Sequence, residues 1–243
     1  SVETMPYRGQ LSSLNEVPAL SGDPSTGTAT ILAHVVRNAA GEIISGSVDF
    51  KVNYKRGATS NITAMHIHRG AAAANGPVVI DSTLSTAVAD ATTGTLRLQG
   101  QAPPTANTAL TALRDLVKDP AGFYLNLHTT KNPAGEMRGQ LLPAENLVLM
   151  GLMTADNEVP ATSVTAKGVC TIQVIAARRP DGLPLSAEVI FDMNYTPFPA
   201  DTIFTGFHIH NGVAGVNGPV VINTGMTNPT PAVAAGGNFR YEV

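Results

Sequence analysis

The sequence predicts an all-β protein of two tandem antiparallel Greek-key β-sandwich or barrel domains, with one short helix in the first. Three observations carry that expectation. Short runs of β-branched residues alternate with Gly, Pro, Asn and Asp along the 243 residues. Three separate motifs recur at one constant spacing. A single segment has helical instead of strand periodicity.

The recurrence sets the domain organisation. Asn15-Glu16-Val17-Pro18 returns as Asn157-Glu158-Val159-Pro160. Met65-His66-Ile67-His68 returns as Phe207-His208-Ile209-His210, and Gly76-Pro77-Val78-Val79-Ile80 as Gly218-Pro219-Val220-Val221-Ile222. Each pair is 142 residues apart. The first copy is read as residues 1–150 and complete. The second is read as residues 151–243, ending soon after Gly237-Asn238-Phe239-Arg240, which matches Thr93-Gly94-Thr95-Leu96. The second copy is therefore expected to lack its last third, with no counterpart of Phe123 to Leu142.

Within the first copy, strands are expected over Thr28–Val36, Ile43–Tyr54, Asn61–His68, Gly76–Ile80, Gly94–Gln99, Phe123–His128 and Glu136–Leu141. Asn38–Gly41 and Lys131–Gly135 have hairpin-turn chemistry. From Thr108 to Lys118 the residues Leu110, Leu113, Leu116 and Val117 recur at helical spacing, with Thr108 or Asn107 as cap and Asp119-Pro120 as the stop.

Composition narrows the function classes. At 43% hydrophobic and 14% charged residues, the chain is too apolar for disorder and too lightly charged for a coiled coil. Fifteen Lys and Arg against eighteen Asp and Glu give a net charge of −3, which leaves no basic footprint for nucleic acid. No apolar run approaches the ~18 residues of a membrane span, so an integral membrane protein is not expected. One cysteine, Cys170, forbids an intrachain disulfide and reads as a packing thiol.

The histidines carry the chemistry. His66 and His68 stand two apart on a predicted strand, so both imidazoles share one face while Met65 and Ile67 point into the core. His208 and His210 repeat the arrangement. His128 ends the strand Phe123–His128 and shares a face with Tyr124 and Asn126. A His-x-His pair plus one distant His suits a divalent metal with an open position, copper or zinc before magnesium or calcium. The competing reading is of surface histidines hydrogen-bonded on their own, but the pairing of four of six histidines argues against it. His34 aligns with Ala176 and reads as an ordinary histidine. Glu16 and Glu158 are expected to tie their turns to a neighbouring strand by accepting backbone N–H groups. Arg138 either pairs with Glu136 or an Asn-Glu-Val-Pro carboxylate as scaffold, or faces the histidines and attracts an anion, the role that makes it the catalytic candidate.

Taken together, Asn-Glu-Val-Pro, His-Ile-His, Gly-Pro-Val-Val, Phe-Tyr-Leu-Asn-Leu-His-Thr and Asn-Pro-Ala-Gly-Glu-Met-Arg-Gly-Gln-Leu resemble the CHRD domain family, named from the repeated domain of chordin. The resemblance implies a β-rich module that is secreted or periplasmic. A more distant likeness is to copper–zinc superoxide dismutase, whose Gly-Phe-His-x-His strand is similar to Gly206–His210. That likeness implies copper ligation by His66, His68 and His128, with Arg138 steering an anion. It stops short of a binuclear site, because the bridging histidine, the zinc-loop Asp and the disulfide cysteines are missing.

Two functions follow. One is an extracytoplasmic copper-binding or zinc-binding β-domain, with superoxide-dismutase-like redox activity as its catalytic form. The other is a non-catalytic module that binds extracellular protein or matrix. A homo-oligomer is compatible with either. His208 and His210 are expected to bind metal more weakly, unless another chain supplies a ligand.

Overall fold

The computed structural model describes all residues except 85, 89–91, 103–107, 227–229 and 232–235. It divides into two compact units, Ser1–Glu145 with Ala176–Ala187, and Asn146–Ile175 with Glu188–Val243.

The first unit is built from β1 (Val2–Ser12), β2 (Thr26–Arg37), β3 (Ile43–Lys55), β4 (Ile62–Arg69), β5 (Val78–Asp81), β6 (Thr93–Ala102), α1 (Thr108–Lys118), β7 (Phe123–Thr129) and the first half of β8 (Met137–Thr154). Its antiparallel order is β6-β3-β2-β1-β8-β7-β4-β5. The chain leaves β3 for β4 instead of its sheet neighbour β6, a Greek-key style of connection. The two ends of the sheet approach one another. The Thr83 hydroxyl, just after β5, donates to the Gln99 carbonyl of β6 at 2.8 Å. A Cβ at Gly100 would lie 2.5 Å from the Asp81 carbonyl oxygen. The sheet is thus barrel-like, and the all-β expectation holds.

The core follows strand alternation. Ile31, Phe50, Met65, Ile67, Ile80, Leu125 and Leu127 are buried inside the barrel. Leu110, Leu113 and Leu116 bury one face of α1 against them, as their spacing predicts. The helix runs from Thr108 to Lys118 as expected, and Pro120 opens a short 3₁₀ turn behind it. Asn107, the other candidate cap, lies outside the described residues. Gly41 closes the β2–β3 hairpin at φ +84°, while the Asn38 side chain accepts from the Ala40 and Glu42 backbone N–H groups.

Strand β1 is an addition to the sequence reading, and β8 runs well past its expected end. Both carry a proline that reads as a breaker. Pro6 sits opposite Leu32 of β2 but just beyond the last β1–β8 pair, Tyr7 with Pro143. Proline is tolerated where the ladder stops, because no N–H is then required.

The second unit takes most of β9 (Lys167–Arg178) and β10 (Pro184–Tyr195), followed by β11 (Ile203–Phe204), β12 (His208–His210), β13 (Val220–Asn223), β14 (Thr230–Pro231) and β15 (Gly237–Glu242). β10 pairs with β15, β11 with β14, and β12 with β13. Cys170 is buried in its core with Phe191, Met193 and Phe207.

Candidate metal centre

Three strands position the histidines. β7 lies between β4 and β8, and its register sets Asn126 opposite His66, His128 opposite Ala64, and Tyr124 opposite His68. The apolar residues of β4 and β7 face the core, which turns His66, His68, Tyr124, Asn126 and His128 onto the other face. His68 and His128 are buried there, and His66 is partly exposed.

The imidazoles converge. Ring centroids are 5.7 Å apart for His66–His68, 4.9 Å for His66–His128 and 5.6 Å for His68–His128. One nitrogen from each ring lies within 4.8 Å of the others. Among the described residues this is the one such group of three or more His, Cys, Asp or Glu residues.

Backbone carbonyls fix the tautomers of two rings. His68 Nδ1 donates to the Gly76 carbonyl at 2.9 Å, and His128 Nδ1 donates to the Pro133 carbonyl at 3.1 Å. A carbonyl can only accept, so each Nδ1 carries the hydrogen and each Nε2 of the neutral ring keeps its lone pair. Those two Nε2 atoms stand 3.4 Å apart, with no proton between them to share. His66 Nδ1 is also buried, with no hydrogen-bond partner among the described residues. The outer nitrogen of that ring, Nε2, is 3.9 Å from the exposed Asp81 carboxylate. One ligand atom from each of the three rings therefore lies close to the others, and two of the rings, His68 and His128, are oriented from behind by carbonyls. That is how metal-ligating imidazoles are usually supported.

Electrostatics keep these rings neutral. Burial holds all three below the ordinary histidine range, and His128 is lowered to about 4. The carbonyl bonds at Gly76 and Pro133 oppose the shift, while the neighbouring imidazoles and Arg138 add to it at His68 and His128.

Gly76 is where sequence and site meet. A Cβ there would lie 1.6 Å from the Arg69 carbonyl oxygen, so only glycine fits. Its N–H donates to the Tyr124 hydroxyl at 3.1 Å, and its carbonyl takes the His68 proton.

Arg138 is buried beside the cluster. Its guanidinium donates to Glu16 at 2.8 Å, to the Ala74 carbonyl at 3.2 Å and to Asn75 Oδ1 at 2.7 Å. Its carbon lies 4.5 Å from the Tyr124 ring centroid, and Tyr124's strand separates β8 from the His68 strand. Of the scaffold pairings expected for Arg138, the one with the Asn-Glu-Val-Pro carboxylate is present. Glu136 pairs instead with Arg56 at 2.9 Å. Glu16 corrects the expectation of backbone N–H partners: its carboxylate takes the guanidinium, and the turn is tied to β8 by Asn15 Nδ2 donating to the Arg138 carbonyl at 3.0 Å. Burial still pushes the Glu16 carboxyl up despite that pairing.

The remaining histidines lie elsewhere. His34 sits between Thr4 and Asp49, at 2.8 Å from each, and is not in the cluster. His208 and His210 are exposed on β12 with centroids 5.6 Å apart, and they belong to no group of three among the described residues. Sequence reasoning missed Tyr124, Gly76 and Pro133 as supports of the site. Gly76 and Pro133 stood in the quoted motifs, but a glycine that frees a carbonyl looks like any turn glycine until its partner is known.

Comparison with known proteins adds one finding. A family model, the CHRD domain, matches residues 7–141. No curated protein and no solved structure matches the chain.

Proposed function

The chain belongs to the CHRD domain family, and from that premise we propose an extracytoplasmic protein of tandem metal-binding β-domains. The first repeat holds a divalent ion on His66, His68 and His128, copper first and zinc as the alternative. One observation carries the reading: ligand atoms of three imidazoles lie within 4.8 Å of one another, the His68 and His128 Nε2 atoms 3.4 Å apart with their opposite nitrogens tied to carbonyls, beside a buried His66 Nδ1 that has no hydrogen-bond partner among the described residues. Three imidazoles suit copper or zinc far better than the oxygen-seeking magnesium or calcium. The family's extracellular occurrence supports the location, and no helix among the described residues is long and apolar enough to cross a membrane.

Bound copper would supply one-electron redox chemistry, and bound zinc Lewis acidity. The protein's part is to hold the three rings neutral and oriented, and to leave the partly exposed His66 side as the approach. Arg138 contributes positive potential at His68 and His128 from beyond Tyr124, which favours an anion such as superoxide. Superoxide-dismutase-like activity is the catalytic form of this proposal.

The test is a Cu(II) titration of the wild type beside His66→Ala and His128→Ala. Loss of the bound ion in both variants supports the site, and unchanged stoichiometry defeats it. Superoxide consumption by copper-loaded protein then tests catalysis. The second reading, a non-catalytic module for extracellular protein or matrix, is favoured by one observation. Arg138 spends its donors on Glu16, Ala74 and Asn75, as a scaffold residue would.

A further inference from the structure

The second unit presents the same receiving surface that the first unit uses to seat α1, β7 and β8, but uncovered among the described residues. The correspondence is residue by residue, at the 142-residue spacing around the histidine strand and within one residue of it for the Tyr54–Gly94 and Tyr195–Gly237 pairs. His210 Nδ1 donates to the Gly218 carbonyl at 2.8 Å, as His68 does to Gly76. Asn217 Nδ2 donates to the Val159 carbonyl at 2.9 Å, as Asn75 does to Val17 at 3.0 Å. Gly237 packs on the Tyr195 hydroxyl as Gly94 does on that of Tyr54.

What differs is what lies on top. Glu16 is buried against Arg138, whereas its counterpart Glu158 is exposed and has no side-chain partner among the described residues. Val79 is 6% exposed near α1, whereas its counterpart Val221 is 55% exposed. Ile67 and Ile80 are fully buried, whereas Ile209 and Ile222 are only partly so. β4 pairs on both sides, with β5 and β7, whereas β12 pairs on one side with β13. An unpaired strand edge beside exposed aliphatic residues is a template for another strand.

We infer that the second unit is a docking surface for a partner segment of defined chemistry, a helix and β-hairpin of the kind residues 108–142 form. The surface specifies that occupant's chemistry. Its first strand runs antiparallel along β12 and carries a histidine opposite Gly206, the position equivalent to Ala64, which faces His128 in the first unit. Its second strand carries an arginine that meets the Glu158 carboxylate and the Asn217 side-chain oxygen. Its helix covers Val221. His208 and His210 then gain the third imidazole that completes a metal site; that last element rests on the metal reading of the first repeat, while the docking does not.

The experiment appends a second copy of residues 101–142 after Val243, the position equivalent to Gly100. Hydrogen exchange is followed in β12 and β13 without metal, and Cu(II) is then titrated. Docking predicts at least tenfold slower exchange across Ile209 and Val221, abolished by Glu158→Arg. It is regained when the appended counterpart of Arg138 is also changed to Glu. Exchange as fast as in the 243-residue chain overturns the inference. Copper stoichiometry should rise from one to two and return to one with His208→Ala. Protection without copper at either site would refute the metal reading and leave the docking standing. Protection with copper at the first site alone would overturn the third-imidazole element.

Discussion

The ring of Tyr124 lies flat on that of His68, with planes 9° apart and centroids 4.8 Å apart, while its hydroxyl accepts the Gly76 N–H. Tyr124 therefore controls His68 twice. It holds the ring plane by stacking, and it holds the carbonyl that takes the ring proton by anchoring its own residue. Tyr124→Phe removes the second control and keeps the first. Tyr124→Ala removes both. Outer partners of metal ligands typically contribute about 10–100-fold in affinity. Competitive Cu(II) titration should place Tyr124→Phe near the lower end and Tyr124→Ala at or beyond the upper. Equal affinity in all three proteins would show that His68 needs no such support.

Gly76→Ala should do more damage than any ligand substitution. A methyl group 1.6 Å from the Arg69 carbonyl cannot be housed without moving the β4–β5 connection. That movement carries away the acceptor of His68. Urea denaturation should show a loss of about 2 kcal/mol or more, the range of genuine backbone conflicts. A ligand change such as His66→Ala, at a partly exposed ring, should cost metal binding with little of that stability. The contrast between the two variants separates scaffold from ligand.

The Glu16–Arg138 pair yields contrasting predictions for a single and a double replacement. Both side chains are buried, so deleting the carboxylate strands a guanidinium away from water. Breaking a buried pair from one side costs about 3–5 kcal/mol, whereas an apolar pair of matching volume can be nearly neutral. Glu16→Ala should therefore be strongly destabilising in urea. The double variant Glu16→Leu, Arg138→Met should recover a large part of the loss. Failure of that recovery would mean that the hydrogen bonds to Asn75 and the Ala74 carbonyl matter more than the charges.

Much of this arrangement was legible in the residues. His66 and His68 sharing a face, Met65 and Ile67 pointing inward, and the limits of α1 all follow from period-2 and period-3.6 spacing. His128 joining them depends on β7 lying beside β4, a long-range pairing that local pattern does not encode; there the motif set and the resemblance did the work. The choice among partners for Arg138 could not be made from sequence, because Glu136 and Glu16 are both acidic and the register of β8 against β1 decides between them. β1 itself was hidden by Pro6, whose harmlessness depends on where the neighbouring ladder ends.

The pH dependence of the metal-free protein has a definite direction. Burial lowers all three cluster histidines in the folded state, His128 to about 4, against about 6.5 in an unfolded chain. Above pH 6.5 both states are neutral at these groups, and the shift has no effect. As pH falls from 6.5 toward 4 the unfolded chain takes up protons that the folded protein refuses, so stability declines through that window. Below about 4 His128 is protonated in both states, and its contribution levels off. Ordinary carboxylates join the titration below about pH 5, and the buried Glu16 carboxyl, pushed up in the fold, acts with the opposite sign, so the difference between wild type and His128→Asn from pH 6.5 to 5 is what reads the imidazole. Urea midpoints of the metal-free protein should fall across that interval, and His128→Asn should flatten the slope. With zinc bound, the fall should steepen, because protons and the ion compete for the same lone pairs. Equal slopes for wild type and His128→Asn between pH 6.5 and 5 would mean that the His128 ring accepts protons freely in the fold, and the neutral, inward-facing donor set would have to be abandoned.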